Sequence, residues 1–197
     1  MTDLGMLLII SGPSGVGKTT IVHHVERQLG GRFSVSMTTR PKSAGDIEGV
    51  DYHFVDQVHF KSLRDSGQLL EWAEVFGHSY GTPKAPVVEA LANGELMILE
   101  IDVEGALQVK SKLPEAFAVF LLPPNEEVLL GRLRRRQRED EVAIQRRFAK
   151  AKHEIARAHA CGVYDAFVVN EDLQVAVEQT TTLVRGQRGP STADESR

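Results

Sequence analysis

The residues best equipped for chemistry stand near the start of the chain. Gly12, four residues, then Gly17, Lys18 and Thr19 follow the apolar run at 7–10, and a helical stretch begins at 18. A strand, this spacing and a helix together make a phosphate loop. Gly12, Gly15 and Gly17 allow backbone turns that point successive N–H groups inward, and the N-terminus of the helix adds further donors. Pro13, Ser14, Val16 and Thr20 complete the loop. Lys18 brings a mobile positive charge to the outer phosphates, and the Thr19 hydroxyl suits magnesium. This much implies a bound nucleotide and leaves motor, switch, transporter and kinase open.

Three further groups could act beside it. The run 96–101 ends in Glu100-Ile101-Asp102, where a carboxylate can orient magnesium-bound water; Asp102 is the first candidate and Glu100 the second. A dense basic run holds Arg132, Arg134, Arg135, Arg136 and Arg138, followed by Glu139-Asp140-Glu141. It reads as a solvated helix face or a nucleic-acid patch; no aromatic residues interleave, which weakens the latter. Seven histidines form no metal pair at helical spacing, and Cys161, the only cysteine, excludes an intramolecular disulfide and reads as a packing residue.

These groups need a scaffold, and the apolar periodicity supplies one. Helices are expected at 18–29, 58–68, from Pro83 to 93, 105–112, 126–136, 141–160 and 172–185, and strands at 33–39, 52–55, 69–76, 96–101, 117–122 and 166–169. Residues 40–51 read as a loop and 78–82 as a polar turn, and the chain from 186 onward reads as a disordered tail. Strands and helices alternate at both ends, which gives a parallel α/β sheet, while the short strands of 33–95 look like an inserted lobe. The length of 197 residues allows one good-sized core with a smaller lobe. A net charge of −4 argues against bulk nucleic-acid binding. No apolar stretch approaches a membrane span, and the first strand follows the N-terminus too soon for a secretory signal, so a cytoplasmic protein is expected.

Several separated motifs, in order, resemble the guanylate kinase family. They are Ser11-Gly-Pro-Ser-Gly-Val-Gly-Lys18, Ser34-Val-Ser-Met-Thr-Thr-Arg40, Gly45-Asp-Ile-Glu-Gly-Val-Asp-Tyr52-His-Phe-Val55, Glu71-Trp72-Ala73, Tyr80-Gly81-Thr82, Leu99-Glu-Ile-Asp102 and Val169-Asn170. The resemblance spans about residues 6–185. It implies a P-loop kinase fold with a five-stranded parallel core sheet, an inserted small mixed α/β lobe for the nucleoside monophosphate and a helical lid. The core is expected at 1–32, 96–131 and 148–185, the GMP lobe at 33–95, the lid at 132–147 and the tail at 186–197.

By the same resemblance, Glu71 and Asp102 accept from the donor edge of guanine, Ser36 and Thr82 face O6, and Arg40, Tyr52 and Tyr80 hold the GMP phosphate. Lys18, Arg136 and Arg147 are the catalytic cations, Asn170 joins the ATP site, and magnesium enters with ATP through Thr19 and, by way of water, Asp102. The chemistry agrees: carboxylates match guanine N1–H and its amine, and adenine would leave polar groups unpaired. The implied reaction is ATP-dependent phosphorylation of GMP, and of dGMP, with no nucleic-acid or membrane partner. The alternatives are a non-catalytic scaffold of the same fold and a kinase of another phosphorylated acceptor such as a ribose phosphate. Two positions depart from the family pattern. Ser43 stands where a second phosphate-binding arginine is usual, and Gln137 where the lid usually has glycine. They bear on GMP affinity and lid flexibility rather than on the reaction.

Overall fold

The computed structural model describes residues 5–75, 77–135 and 140–188. Along the chain run β1 (Met6–Ser11), α1 (Lys18–Leu29), β2 (Arg32–Phe33), β3 (Met37–Thr38), β4 (His53–Phe54), α2 (Gln57–Asp65), β5 (Leu69–Val75) and β6 (His78–Pro83). There follow α3 (Lys84–Ala92), β7 (Leu96–Glu100), α4 (Val103–Lys112), β8 (Phe117–Leu122), α5 (Glu126–Arg135), α6 (Glu141–Cys161), β9 (Ala166–Val169) and α7 (Leu173–Arg188).

The core is a five-stranded parallel sheet in the order β2-β7-β1-β8-β9. Its central strands are apolar on both faces because helices cover both. Leu8 and Ile10 face α1 and α7, meeting Ile21, Val25, Val177 and Val184. Leu7 and Ile9 face the opposite layer, with Val87 of α3 and Ala106 and Val109 of α4. The one-residue alternation along β1 thus builds a three-layer sandwich.

The inserted lobe carries a four-stranded mixed sheet, β4-β3-β6-β5, in which β3 pairs parallel with β4 and antiparallel with β6. Two expectations change here. The stretch 33–39, read as one strand, is divided: Phe33 pairs with Ile98 in the core sheet and Met37-Thr38 pair with β4 and β6 in the lobe. The polar turn expected at 78–82 is strand β6, paired with β5 from Val75↔His78 to Leu69↔Pro83. Ser79, Gly81 and Thr82 look like turn residues, but all three are buried between neighbouring elements. The last helix also runs on to Arg188, past the expected end at 185.

Helices α5 and α6 join through Leu129, Leu133, Ile144 and Ala151. Phe120 of β8 is fully buried, and its ring meets Tyr164 edge-on at 5.0 Å. Phe120→Ala is expected to cost about 3–5 kcal/mol in chemical denaturation, since the surrounding rings cannot collapse into the space. The KM values should be unchanged, because this cluster lies outside the nucleotide cleft.

Candidate active site

The phosphate loop joins the end of β1, at the centre of the sheet, to α1. Gly17 is the residue before α1 and has φ 97°. A Cβ there would also lie 2.8 Å from Asn170 Nδ2, so both conformation and space require glycine. Asn170, at the end of β9, is buried and its Nδ2 donates to Val16 O at 2.7 Å. Arg132 in turn donates to Asn170 O at 2.9 Å. Asn170 therefore braces the loop from behind, and Val16 is itself fully buried. Lys18 Nζ donates to Gly12 O at 2.6 Å and Pro13 O at 3.2 Å, curling over the loop where phosphates would lie. Ser14, Gly15, Lys18, Thr19 and Thr20 line a small cavity with Glu100. Arg147 of α6 donates to Ser14 Oγ.

Thr19 Oγ1 donates to Glu100 Oε1 at 3.0 Å. The carboxylate beside the magnesium-type hydroxyl is thus Glu100, the second candidate of the sequence reading. Asp102 points elsewhere. Its Oδ1 accepts from Gly105 N at 2.9 Å and caps α4, while the residue lines the adjoining larger cleft. The physical reason is where β7 ends: the pleat would put residues 100 and 102 on one face, but the strand stops at Glu100 and Asp102 already lies beyond it as the cap of α4.

The larger cleft runs from Gly12 and Lys18 to Ser36, Tyr52, Tyr80, Glu71 and Asp102. Every one of those positions but Gly12 comes from a different element or loop. Glu71 of β5 is 5% exposed. Thr82, expected against guanine O6, is buried on β6 directly across from Glu71 and donates to its Oε1 at 2.6 Å. Its hydroxyl proton is committed to the carboxylate, so Thr82 orients Glu71. Burial pushes the Glu71 carboxyl up to about 7, with the nearby Asp102 adding to the rise and Thr82 and Lys112 opposing it.

At the lobe end, Arg40 lies over the Tyr52 ring at 5.4 Å, and Tyr52 meets Tyr80 at 5.7 Å. Arg40 also pairs with Asp46 at 2.9 Å and donates to Ser43 Oγ at 2.9 Å. Asp46 accepts from Ser43 N at 2.7 Å as well, which closes the loop around the guanidinium. The Arg40 contact holds Asp46 below its usual range. Ser43 thus orients the arginine that remains. Arg136 and Gln137 lie outside the described residues.

Two residues escaped the sequence reading. Lys150 and Glu154 of α6 line the cleft with Lys18, 3.7 Å apart. Burial raises the Glu154 carboxyl, and Lys150 and Lys18 pull against it. The signal was present: residues 147, 150 and 154 follow spacings of three and four, one face of a helix.

A phosphate loop on a parallel sheet, an inserted lobe that brings Arg40 beside Tyr52, and arginines on a pair of joined helices define a P-loop kinase of the nucleoside-monophosphate type. The comparisons with known proteins are specific. The guanylate kinase family model matches residues 5–187. A guanylate kinase of Gloeobacter violaceus is 50% identical over 182 residues, which is 92% of this chain and 87% of that protein. One from Carboxydothermus hydrogenoformans is 44% identical over 185 residues, 93% and 89% of the two chains. The crystal structure of guanylate kinase from Anaplasma phagocytophilum superposes with a TM-score of 0.73 at 29% identity, covering 96% of this chain and 89% of that one. The chain belongs to the guanylate kinase family.

The raised Glu71 pKa is also a statement about stability. Its folded value, about 7, lies above the ordinary 4.5, so folding favours the protonated form. The stability this group contributes is complete below pH 4.5 and is lost as pH rises through 7, by about 3 kcal/mol. Glu71→Gln keeps the acceptor for Thr82 and cannot ionise. The variant should match the natural protein near pH 4.5 and exceed it increasingly up to pH 8, read as the difference between their unfolding free energies. A difference that stays flat with pH would show that the carboxyl titrates normally.

Proposed function

We infer that this protein transfers the γ-phosphoryl group of ATP to the phosphate of GMP, giving ADP and GDP. The observation that carries this reading is the cleft itself, which Glu71 and Asp102 line together with Gly12 and Lys18 of the phosphate loop. Guanine offers N1–H and an exocyclic amine as donors, and two carboxylates accept both. Ser36 donates to O6 beside them. AMP would turn its N1 acceptor toward the acids and leave buried oxygens unpaired. The deoxyribose nucleotide carries the same base and phosphate and fits the same contacts.

Arg40, Tyr52 and Tyr80 hold the GMP phosphate, with the guanidinium fork pre-aimed by Asp46 and Ser43. The attacking oxygen is already anionic near neutral pH, so no general base is needed. Rate enhancement comes from alignment and from cations that meet the charge of the transferring group. Lys18, Arg147 and Arg136 serve that purpose, with Arg136 and Arg147 carried on the lid at 132–147. The oxygen donors Thr19 Oγ1 and Glu100 Oε1, side by side at the loop, fit magnesium. Held there with ATP, the ion would offset the charge of the phosphates. Asn170 supports the ATP side by fixing the loop. Such substrates place the reaction in the cytoplasm, and no helix among the described residues is long and apolar enough to cross a membrane. A scaffold would have no use for Lys18 curled over an intact loop, and a ribose phosphate would have no use for paired acids.

Side-by-side assays of ADP formation with GMP, AMP, CMP, UMP and ribose phosphates are expected to show GMP preferred over the others by at least a hundredfold in kcat/KM. Comparable rates with a ribose phosphate would overturn the reading. Lys18→Ala should nearly abolish turnover with a little-changed unfolding midpoint, because Lys18 belongs to no apolar cluster of the core and its ammonium lies on the loop carbonyls of Gly12 and Pro13. Ser43→Arg should lower the KM for GMP about fivefold to tenfold, the scale of one charge-assisted hydrogen bond. The kcat should stay level, since this phosphate is held alike in substrate and transition state. An unchanged KM would mean that the loop at 41–46 does not approach the phosphate.

A further inference from the structure

Strand β5 is an edge strand of the lobe sheet, and its outer backbone groups have no strand to meet. Helix α4 of the core takes that place. Gln108 Oε1 accepts from Trp72 N at 3.1 Å, and Gln108 Nε2 donates to Trp72 O at 2.8 Å. One side-chain amide thus closes the two-bond pattern that a neighbouring strand would supply. One turn further on, Lys112 Nζ donates to Leu70 O. One turn earlier, Gly105 lies so close to Glu71 that a Cβ would stand 2.8 Å from Oε2. Residues 105, 108 and 112 share one helix face. All three address residues 70–72, with Glu71 at the centre.

Two more features make this a fixture of Glu71 rather than generic packing. The β5–β6 register shifts between Leu69 and Glu71, a bulge that places Leu69, Leu70 and Glu71 all inward. Leu70 is driven into the core cluster beside Ala106 and Val109 of the same helix. The helix that holds Glu71 from this side also begins at Asp102, its N-terminal cap. One rigid element therefore sets the distance between the two carboxylates, although they belong to different sheets.

We propose that Gln108, supported by Lys112, is a positioning residue for guanine selection, holding Glu71 in register with Asp102 through the backbone of residues 70–72. The proposal rests on the reading that Glu71 accepts from the guanine edge. Its effect is confined to the base. IMP, which lacks the 2-amino group, makes less use of the paired acids than GMP does, so loss of register should penalise GMP more.

The test compares Gln108→Ala and Gln108→Met with the natural enzyme, on GMP and IMP. The methionine variant keeps the bulk and loses both hydrogen bonds. Both variants are expected to raise the KM for GMP about tenfold, with kcat at saturating GMP and the KM for ATP within about twofold. The ratio of kcat/KM for GMP to that for IMP should fall about fivefold. A purely structural role would lower the unfolding midpoint and the active fraction while leaving both KM values and the ratio unchanged, and that result overturns the proposal. Natural behaviour in Gln108→Met also overturns it, since packing would then suffice. Glu71→Gln is measured in parallel. If it too leaves the GMP-to-IMP ratio unchanged, the assignment of the base site has failed; if it collapses the ratio while the Gln108 variants do not, only the positioning role has failed.

Discussion

The parallel pairing of β1 with β7 is the constraint on which the site depends. Ile10 lies opposite Glu100, so the phosphate loop that follows β1 and the acids that end β7 leave the sheet at the same level. A slip of one residue would turn Glu100 to the other face and separate it from Thr19. The register is secured from both sides, because Leu7 and Ile9 are locked into one helix layer and Leu8 and Ile10 into the other. Ligand groups collect where strands end in an open α/β sheet. Here the two central strands deliver phosphate donors and carboxylates to one crevice without any side chain spanning the core.

Glu71 shows what that crevice costs. A carboxyl 5% exposed beside Asp102 is an unfavourable place for a charge, and the fold answers with neighbours rather than with a counter-ion in direct contact. Thr82 donates to one oxygen, Gly105 packs on the other, and the ammonium of Lys112 sits on the adjoining carbonyl. A directly paired cation would favour the carboxylate more, but it would also occupy an acceptor that this arrangement leaves facing the cleft. The same tension recurs at the phosphate end. Arg40 is held by Asp46 and Ser43, and its guanidinium also lies over the rings of Tyr52 and Phe54.

Much of this was legible in the sequence, for identifiable reasons. The phosphate loop is a local structure, so spacing and residue type suffice to read it. The parallel core follows from apolar runs separated by amphipathic helices. The division of 33–39 between two sheets was hidden because Phe33 and Met37 keep the same alternation, and only the spatial partners differ. Strand β6 was hidden because Ser79, Gly81 and Thr82 are buried although they are small or polar, and the Thr82 hydroxyl serves there as a hydrogen-bonding partner of Glu71. That Glu100 rather than Asp102 meets the Thr19 hydroxyl could not be read either. Either acid satisfies the pattern, and the choice is made by Asp102 becoming the cap of α4.

The cations and acids around the cleft are sorted by element, and that sorting gives the reaction a direction. The acids Glu71 and Asp102 arrive on β5 of the lobe sheet and at the start of α4 of the core. The cations Arg147 and Lys150 arrive on α6, from the lid side, and Lys18 arrives from the loop between them. Glu154 is the exception, an acid on the cationic face, tied to Lys150 at 3.7 Å. Burial alone would favour its neutral form, and Lys150 and Lys18 pull it toward the carboxylate, so its charge depends on the cations it faces and offsets part of the repulsion between them. When polyphosphate enters, the cations gain a stronger partner and the carboxylate becomes the odd charge. A site arranged this way tolerates its own cations when empty and favours phosphate when filled, so the electrostatic gain appears at the point of transfer and not in the resting fold.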